Sequence, residues 1–363
     1  MDFPKYNGNI HPNEWINDIQ RYFTLKNDNL HTNRRLSIAI SFVDPIISIP
    51  DDVNSFEKLC SVLKEDISFT VFKNTNERML QSLKYVPENK GGNTSEFISK
   101  FRKLCYNAEI NDIEEQKKYL YNSLPLLINH FDSISIEFYK RMENVDSINK
   151  LIKEFEDFVV YLSKLIVNES IVALKHVSTG KYLGSINNLC YDTGSSTQLV
   201  FVDNSKFGPN SLWKIRFNNS NELATYGSTR ITLRYDKSDK FLGIYYGYYK
   251  SPSTNHTEVV ISVSCNNMSN YYWVKDWEFN HAKVGNNQGF LKSNDIINLR
   301  IKKSYDFNGN LIPNGQVVYL RSHDIQFNVG NDTFQEVVCH NERLGGNDEW
   351  CIELIKQYAW TLV

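Results

Sequence analysis

The first half of the chain repeats apolar residues at intervals of three and four, which places them on one face of an α-helix. A short example follows the loop-forming run 91–93, with Thr94 or Ser95 as the expected cap. Its apolar stripe consists of Phe97, Ile98, Phe101, Leu104, Cys105 and Ala108. A longer stripe covers about 147–167 and predicts either the core seam of a helical bundle or a self-association face.

Beyond residue 168 the pattern changes to short runs of Val, Ile, Thr and aromatic residues between turn-forming Asn, Ser, Asp and Gly, which predicts β-strands. Residues 173–183 align without gaps with 232–242. A third, more diverged copy is expected at 319–327, after an insertion at about 285–316. A strand-like run with a core tryptophan follows each copy: Trp213, Trp277 and Trp350.

Three copies of hairpin, loop and tryptophan strand predict a β-trefoil of about twelve strands, because a unit that cannot bury its apolar face alone does so against two others. The expected fold class is therefore α+β with two domains. An all-α helical bundle is expected over 1–167 and an all-β trefoil over 168–363.

Composition and charge exclude several classes of protein. The chain is 41% hydrophobic and 23% charged, which is typical of a globular protein. Its 40 basic and 42 acidic residues give a net charge of −2, so no nucleic-acid partner is expected. The sequence shows neither a signal-like start nor an apolar stretch long enough to span a bilayer, so we expect no membrane insertion and a cytoplasmic location.

The first 130 residues or so resemble retrotransposon gag capsid domains. The resemblance is carried by the opening 3–8, by Glu14-Trp15-Ile16, and by a segment from Arg78 to Leu124. It implies a helical scaffold capable of self-association, hence a possible homo-oligomer. The Cys/His zinc knuckle and basic tail that gag polyproteins commonly add are missing here, so the resemblance does not extend to packaging nucleic acid.

The second half resembles the MIR domain of protein O-mannosyltransferases, inositol trisphosphate and ryanodine receptors, and stromal-cell-derived-factor-like chaperone partners. The pattern Leu-Lys-His-x-x-Thr-Gly-Lys-Tyr-Leu at 174–183 carries this resemblance, together with 318–324 and the stretch from Ser251 to Trp277. It implies a β-trefoil whose loops hold a protein or glycan partner.

Candidate site residues lie on the repeat hairpins. His176 and His323 are expected at related places in repeats one and three, with Tyr235 in repeat two, as binding residues or as histidines that bond a turn. The basic hairpin residues form an anion site or a solvated surface. A dense tyrosine stretch at 245–249 suits sugar or protein contact, or strand packing. The candidate ligand-binding residues are His176, Thr179, Lys181, Tyr245, Tyr246, Tyr248, Tyr249, Arg321 and His323.

The sequence predicts no catalytic activity. A catalytic histidine needs a nucleophile or carboxylate partner, and no such constellation is apparent. Six scattered cysteines form no CxxC pair, so neither a metal site nor a cofactor is expected, and the thiols are expected to be free and mostly buried. The expected function is a non-enzymatic interaction protein. The alternative is a gag-derived assembly protein that carries the trefoil as a decoration.

Overall fold

The computed structural model describes residues 5–26, 31–125, 131–245, 249–263, 273–283, 289–305, 310–329 and 331–357. The chain forms two compact units. The first comprises Met1–Pro125 and Glu137–Val159, and the second Leu126–Ile136 and Val160–Val363. None of the helices within the described ranges is both long enough and apolar enough to cross a membrane.

Eight α-helices are described, and the apolar stripes of the sequence account for most of them. Polar side chains begin several of these helices: Ser55 accepts a hydrogen bond from the Lys58 amide, and Asn93, rather than Thr94 or Ser95, accepts one from Glu96. The helices are α1 (Pro12–Leu25), α2 (Thr32–Ser41), α3 (Phe56–Glu65), α4 (Ile67–Ser82), α5 (Thr94–Asn107), α6 (Ile113–Ser123), α7 (Phe131–Met142) and α8 (Ile148–Lys164), with a 3₁₀ turn at Glu88–Lys90.

The apolar stripe of α8 is buried. Leu151, Phe155 and Phe158 are fully inaccessible to solvent, and the Phe155 ring lies 5.5 Å from the rings of both Tyr85 and Phe97. Aromatic rings at this separation add to the free energy gained from burying their surface. Of the two interpretations of this stripe, the structure therefore shows the core seam.

The second half consists of short strands, as the sequence predicts. They are β1 (Ile171–His176), β2 (Tyr182–Gly184), β3 (Gln198–Leu199), β4 (Phe201–Asp203), β5 (Trp213–Phe217), β6 (Arg230–Tyr235), β7 (Lys240–Tyr245), β8 (Thr257–Glu258), β9 (Val260–Val263), β10 (Trp273–Val274), β11 (Trp277–His281), β12 (Asp295–Tyr305), β13 (Leu311–Val329), β14 (Asp332–His340) and β15 (Trp350–Lys356). A 3₁₀ turn, Gly346–Asp348, precedes β15.

Six of these strands pair in a closed ring. The order around it is β1, β5, β6, β11, β12 and β15, and β15 returns to pair with β1. A closed ring leaves none of its strands with an unpaired edge. The strand pairs β2–β4, β7–β9 and β13–β14 form three hairpin layers beside the ring. This is a β-trefoil, and the predicted α+β fold class is confirmed.

Three tryptophans anchor the trefoil in the same way. Each begins the last strand of its repeat, is fully buried, and donates its indole N–H to a leucine carbonyl on the second strand of that repeat. The pairs are Trp213 to Leu183 at 3.0 Å, Trp277 to Leu242 at 3.0 Å and Trp350 to Leu320 at 3.1 Å. The predicted core role of these residues is confirmed.

The predicted register of the third repeat is wrong. Leu320 lies on the second strand of its repeat, like Leu183, whereas the sequence alignment matched it to Leu174 on a first strand. The first strand of the third repeat is β12, which lies in the stretch predicted as an insertion and pairs with β11 and β15. His176 ends a first strand and His323 lies on a second one, so they do not occupy related places.

Candidate functional site

The first and third repeats can be matched position by position. Leu183 and Trp213 are separated by 30 residues, as are Leu320 and Trp350. The hydrogen bond from Gln198 to Ser185 recurs between Gln335 and Ser322, with a separation of 13 residues in both cases. In this register, Arg321, His323, Glu336 and Asp348 occupy the positions of Gly184, Ile186, Leu199 and Ser211.

At these four positions, the third repeat therefore carries ionisable side chains where the first has uncharged ones. Since the fold does not require ionisable groups at these positions, they are candidates for a function. We call the set Arg321, His323, Glu336, His340 and Asp348 the charge cluster.

Asp348 is the centre of one half of the charge cluster. Its carboxylate is fully buried and accepts hydrogen bonds from His340 Nε2 at 2.7 Å and from Arg321 Nε at 2.8 Å. The Gly345 amide donates to it at 2.7 Å. Although burial opposes the charged form, these hydrogen bonds outweigh it and lower the pKa of Asp348 to about 2. Asp348 is therefore ionised near neutral pH and holds the Arg321 guanidinium in place.

Glu336 is the centre of the other half. It is fully buried, and its carboxylate accepts a hydrogen bond from His323 Nε2 at 2.6 Å. Ser251 and Thr254 also donate their hydroxyls to it, Thr254 at 3.0 Å. Despite the cost of burial, the hydrogen bonds from these groups lower the pKa of Glu336. Glu336 thereby ties the loop 249–256 to β14.

The loop 249–256 reaches both halves of the charge cluster. The ring of His256, on this loop, lies 6.3 Å from the His323 ring and 6.2 Å from the His340 ring. Its Nε2 is 4.0 Å from the carboxylate of Glu342, which is 57% exposed. The partly exposed His256, His323 and Arg321 therefore form a polar rim above buried carboxylates.

The other end of the loop carries an aromatic group. Tyr249 is 39% exposed, and its ring lies 5.4 Å from that of Tyr245, which in turn lies 5.0 Å from Trp273. The indole N–H of Trp273 is buried without a hydrogen-bond partner. We call these three residues the tyrosine cluster. The loop thus carries an exposed aromatic ring at one end and His256 of the rim at the other.

The structure separates the predicted candidates by role. His176 is fully buried, contacts Thr179 Oγ1 at 2.9 Å and the Asn347 carbonyl at 3.1 Å, and packs on the Trp350 ring. Burial lowers its pKa. Lys181 contributes its carbonyl to the amide of His176. His176 and Thr179 thus fasten the turn after β1, which is the turn-bonding alternative of the sequence interpretation.

Four of the six remaining candidates belong to the two clusters. Arg321 and His323 belong to the charge cluster, and Tyr245 and Tyr249 to the tyrosine cluster. Tyr246 and Tyr248 lie outside the described residues. Sequence reasoning missed His256, Glu336, His340 and Asp348. For two of them, Glu336 and Asp348, the signal was present as a mismatch between the first and third repeats, but it appears only in the correct register.

The contacts of Ser251 and His323 differ from those of a serine–histidine catalytic pair. Ser251 donates its hydroxyl to Glu336, the same carboxylate that His323 contacts, so the histidine does not face the hydroxyl as a general base would. In the described parts of the chain, no group of three or more His, Cys, Asp or Glu side chains is arranged to hold a metal ion. Five of the six cysteines lie in these parts and are unpaired; Cys105 and Cys339 are buried and Cys190 is exposed.

His256 should resist protonation. Burial lowers its pKa from the usual 6.5, and His340, His323 and Arg321 lower it further, while Glu342 opposes them. Just below pH 6.5, the His256 imidazole is therefore protonated in the unfolded chain but still neutral in the folded chain. The free energy of unfolding should therefore fall as the pH drops from 6.5 through the lowered folded-state value. A proton NMR titration of the His256 ring, assigned with a His256→Gln variant, should show a midpoint below 6.5. A midpoint above that value would contradict the geometry.

The fold and site together define a β-trefoil protein with a helical amino-terminal unit. No family model matches the chain, and no curated protein matches it significantly. Among solved structures, it is similar to an SDF2-like protein from Arabidopsis thaliana, with 21% identity over 52% of this chain and 94% of that one and a TM-score of 0.40.

Two further solved structures show similarity. A Caenorhabditis elegans protein of unknown function has 19% identity over 53% of this chain and 97% of that one, with a TM-score of 0.41. A protein O-mannosyltransferase complex from S. cerevisiae, bound to its sugar donor, has 17% identity over 71% of this chain and 42% of that one, with a TM-score of 0.40.

Proposed function

We propose that this chain is a non-enzymatic binding protein whose trefoil takes a glycan or protein partner at the loop 249–256. The observation that carries the proposal is the charge cluster of the third repeat. Four of its members, Arg321, His323, Glu336 and Asp348, stand where the first repeat has uncharged residues. His323 and the hydroxyl of Ser251 both bond the Glu336 carboxylate and not each other. The charge cluster therefore offers hydrogen bonds to a ligand without an activated nucleophile.

The neighbouring aromatic group favours a glycan. Sugars combine apolar ring faces with hydroxyl groups, and the exposed ring of Tyr249 supplies a flat apolar surface. The rim of Arg321, His323 and His256 supplies donors for hydroxyl or carboxyl oxygens. Flat aromatic rings beside polar rims are also common at protein interfaces, so a protein partner is the alternative ligand class.

Replacing Tyr249 with Ala should weaken glycan binding by about tenfold or more, because removing a contact of about 1.5 kcal/mol changes the dissociation constant by that factor. The full-length chain is passed over a glycan array, and dissociation constants of the retained glycans are measured by calorimetry. The matched control is Tyr106→Ala in α5, since Tyr106 is 42% exposed and Tyr249 39%.

Saturable glycan binding lost only in the Tyr249 variant supports the glycan proposal. If no glycan is retained, or if both variants lose binding equally, the glycan assignment is wrong. A protein partner is then sought with the same two variants. The cytoplasmic location expected from the sequence is part of the proposal, and it is tested by following a tagged chain in cells.

The gag-like assembly function stays a prediction. The stripe on α8 that suggested a self-association face is buried in the chain itself, with Leu151, Phe155 and Phe158 inaccessible to solvent. A homo-oligomer would therefore need another surface of the helical unit.

A further inference from the structure

A polar groove runs along α5 in the helical unit. Its volume is about 580 Å³, within the range of ligand-binding clefts. It is lined by one face of α5, from Asn93 at the start to Asn107 at the end, and by Asn76 of α4. None of these residues belongs to the trefoil, so the groove is separate from the site proposed above.

One end of the groove holds a buried pair of carboxamides. Asn107 Nδ2 donates to Asn76 Oδ1 at 3.0 Å, and Asn76 Nδ2 donates to the Phe72 carbonyl at 2.9 Å. Both side chains are only 7% exposed. This chain of hydrogen bonds leaves Asn107 Oδ1 without a donor, although it is buried. Because an unpaired buried acceptor is costly, it favours a ligand that brings an N–H or O–H group to this end.

The rest of the lining offers hydrogen-bond donors beside one carboxylate, that of Glu96, which lies one helical turn before Lys100. Ser95 and Ser99 are exposed, and the carboxamide oxygen of Asn93 accepts the Glu96 amide, which leaves the Asn93 NH₂ group available as a donor. Lys100 is exposed and forms no ion pair with the described residues, whereas Lys103 is bonded to Glu14 at 2.5 Å. No aromatic ring lines the groove, so a sugar has no surface on which to stack.

We propose that this groove binds an extended peptide segment with an acidic side chain. A peptide backbone alternates N–H and C=O groups, so one N–H can pair with Asn107 Oδ1 while carbonyls accept from the serine and asparagine donors. The ammonium of Lys100 then receives the acidic side chain. α5 has 14 residues and is about 21 Å long at about 1.5 Å per residue, which matches about six extended residues.

The charge preference is tested by fluorescence polarisation of the full-length chain with two labelled hexapeptide pools, one with a central Glu and the other with a central Gln. The Glu pool should bind about threefold to fivefold more tightly, because one exposed ion pair changes a dissociation constant by about that factor. Lys100→Glu should abolish or reverse this ratio. The control, Lys118→Glu, changes another exposed lysine, on α6 outside the groove, and should leave the ratio unchanged.

The role of the unpaired Asn107 Oδ1 is tested by changing the peptide, so that no buried residue of the protein is altered. The same Glu pool with N-methylated backbone amides cannot donate to Asn107 and should bind at least about tenfold more weakly. The proposal is overturned if neither pool binds, if Lys100→Glu and Lys118→Glu act alike, or if N-methylation has no effect. Because none of these outcomes involves Tyr249 or glycans, failure here is independent of the trefoil proposal.

Discussion

Trp350→Ala should lower the free energy of unfolding by about 3–5 kcal/mol, the usual cost of truncating a fully buried tryptophan. Trp350 has no solvent exposure, and its indole N–H donates to the Leu320 carbonyl at 3.1 Å. The substitution leaves a cavity and also an unpaired buried carbonyl. Its ring further supports His176, at 5.1 Å, so the turn after β1 should loosen as well. Urea denaturation followed by circular dichroism in the β-sheet region measures the loss.

The matched control is Trp273→Ala, in the tyrosine cluster. Trp273 is half-buried and its indole N–H has no hydrogen-bond partner, so its truncation removes less buried surface and no hydrogen bond. We expect a clearly smaller loss of stability, by at least about 1 kcal/mol. Equal losses for the two variants would show that the threefold indole–carbonyl contact does not anchor the trefoil.

Asp348→Ala should cost about 3–5 kcal/mol of unfolding free energy, because it removes the buried partner of an ion pair and leaves the Arg321 guanidinium with only the exposed Glu342 carboxylate. The Arg321 guanidinium would lose two contacts with the carboxylate, at 2.8 and 3.2 Å, and His340 would lose its 2.7 Å partner. Thermal and chemical denaturation of the purified variant give the size of the effect.

Glu342→Gln is the matched control, since Glu342 contacts the same arginine at 2.9 Å but is 57% exposed. An exposed pair contributes about 0–1 kcal/mol. The pH dependence adds a second measurement. Because the folded pKa of Asp348 is about 2 and its usual value is 3.8, its stabilisation is complete above 3.8 and is lost as the pH falls to about 2. In the Asp348→Ala variant, the fall in the free energy of unfolding that Asp348 causes over this pH range should be absent. An unchanged slope of unfolding free energy against pH would contradict the lowered pKa of Asp348.

Periodicity predicted the main features of the fold. Stripes such as the one on α5 depend only on local spacing, so they translate directly into helices. The tryptophan strands were recognised because three similar runs recur, and the structure places all three indoles in equivalent positions. The third repeat was misaligned because β12 and β13 form a hairpin whose strands are much longer than those of the corresponding hairpins in the other repeats. A search for repeats can still align copies that differ by substitutions, but it loses the register where many residues are inserted into a pair of strands.

The site was only partly predictable, for a different reason. Arg321 and His323 were identified as candidates from their residue types and their places on the repeat hairpins, but their partners Asp348 and Glu336 lie 27 and 13 residues away. Nothing in the sequence distinguishes a buried, paired carboxylate from a solvated one. The role of His176 was open for the same reason, because only its contact with the Asn347 carbonyl, 171 residues away, shows that it fastens a turn.

The closure of the ring through β1 and β15 also bears on how the chain folds. Ile171 pairs with Lys356, so almost the entire trefoil separates the two strands that complete the ring. Contacts of such long sequence separation require a large loss of chain entropy before they stabilise anything, which slows folding. During synthesis, β1 must wait with one edge unpaired until β15 has emerged from the ribosome. We therefore expect the helical unit, with its more local contacts, to fold first and the trefoil to depend most on protection against aggregation.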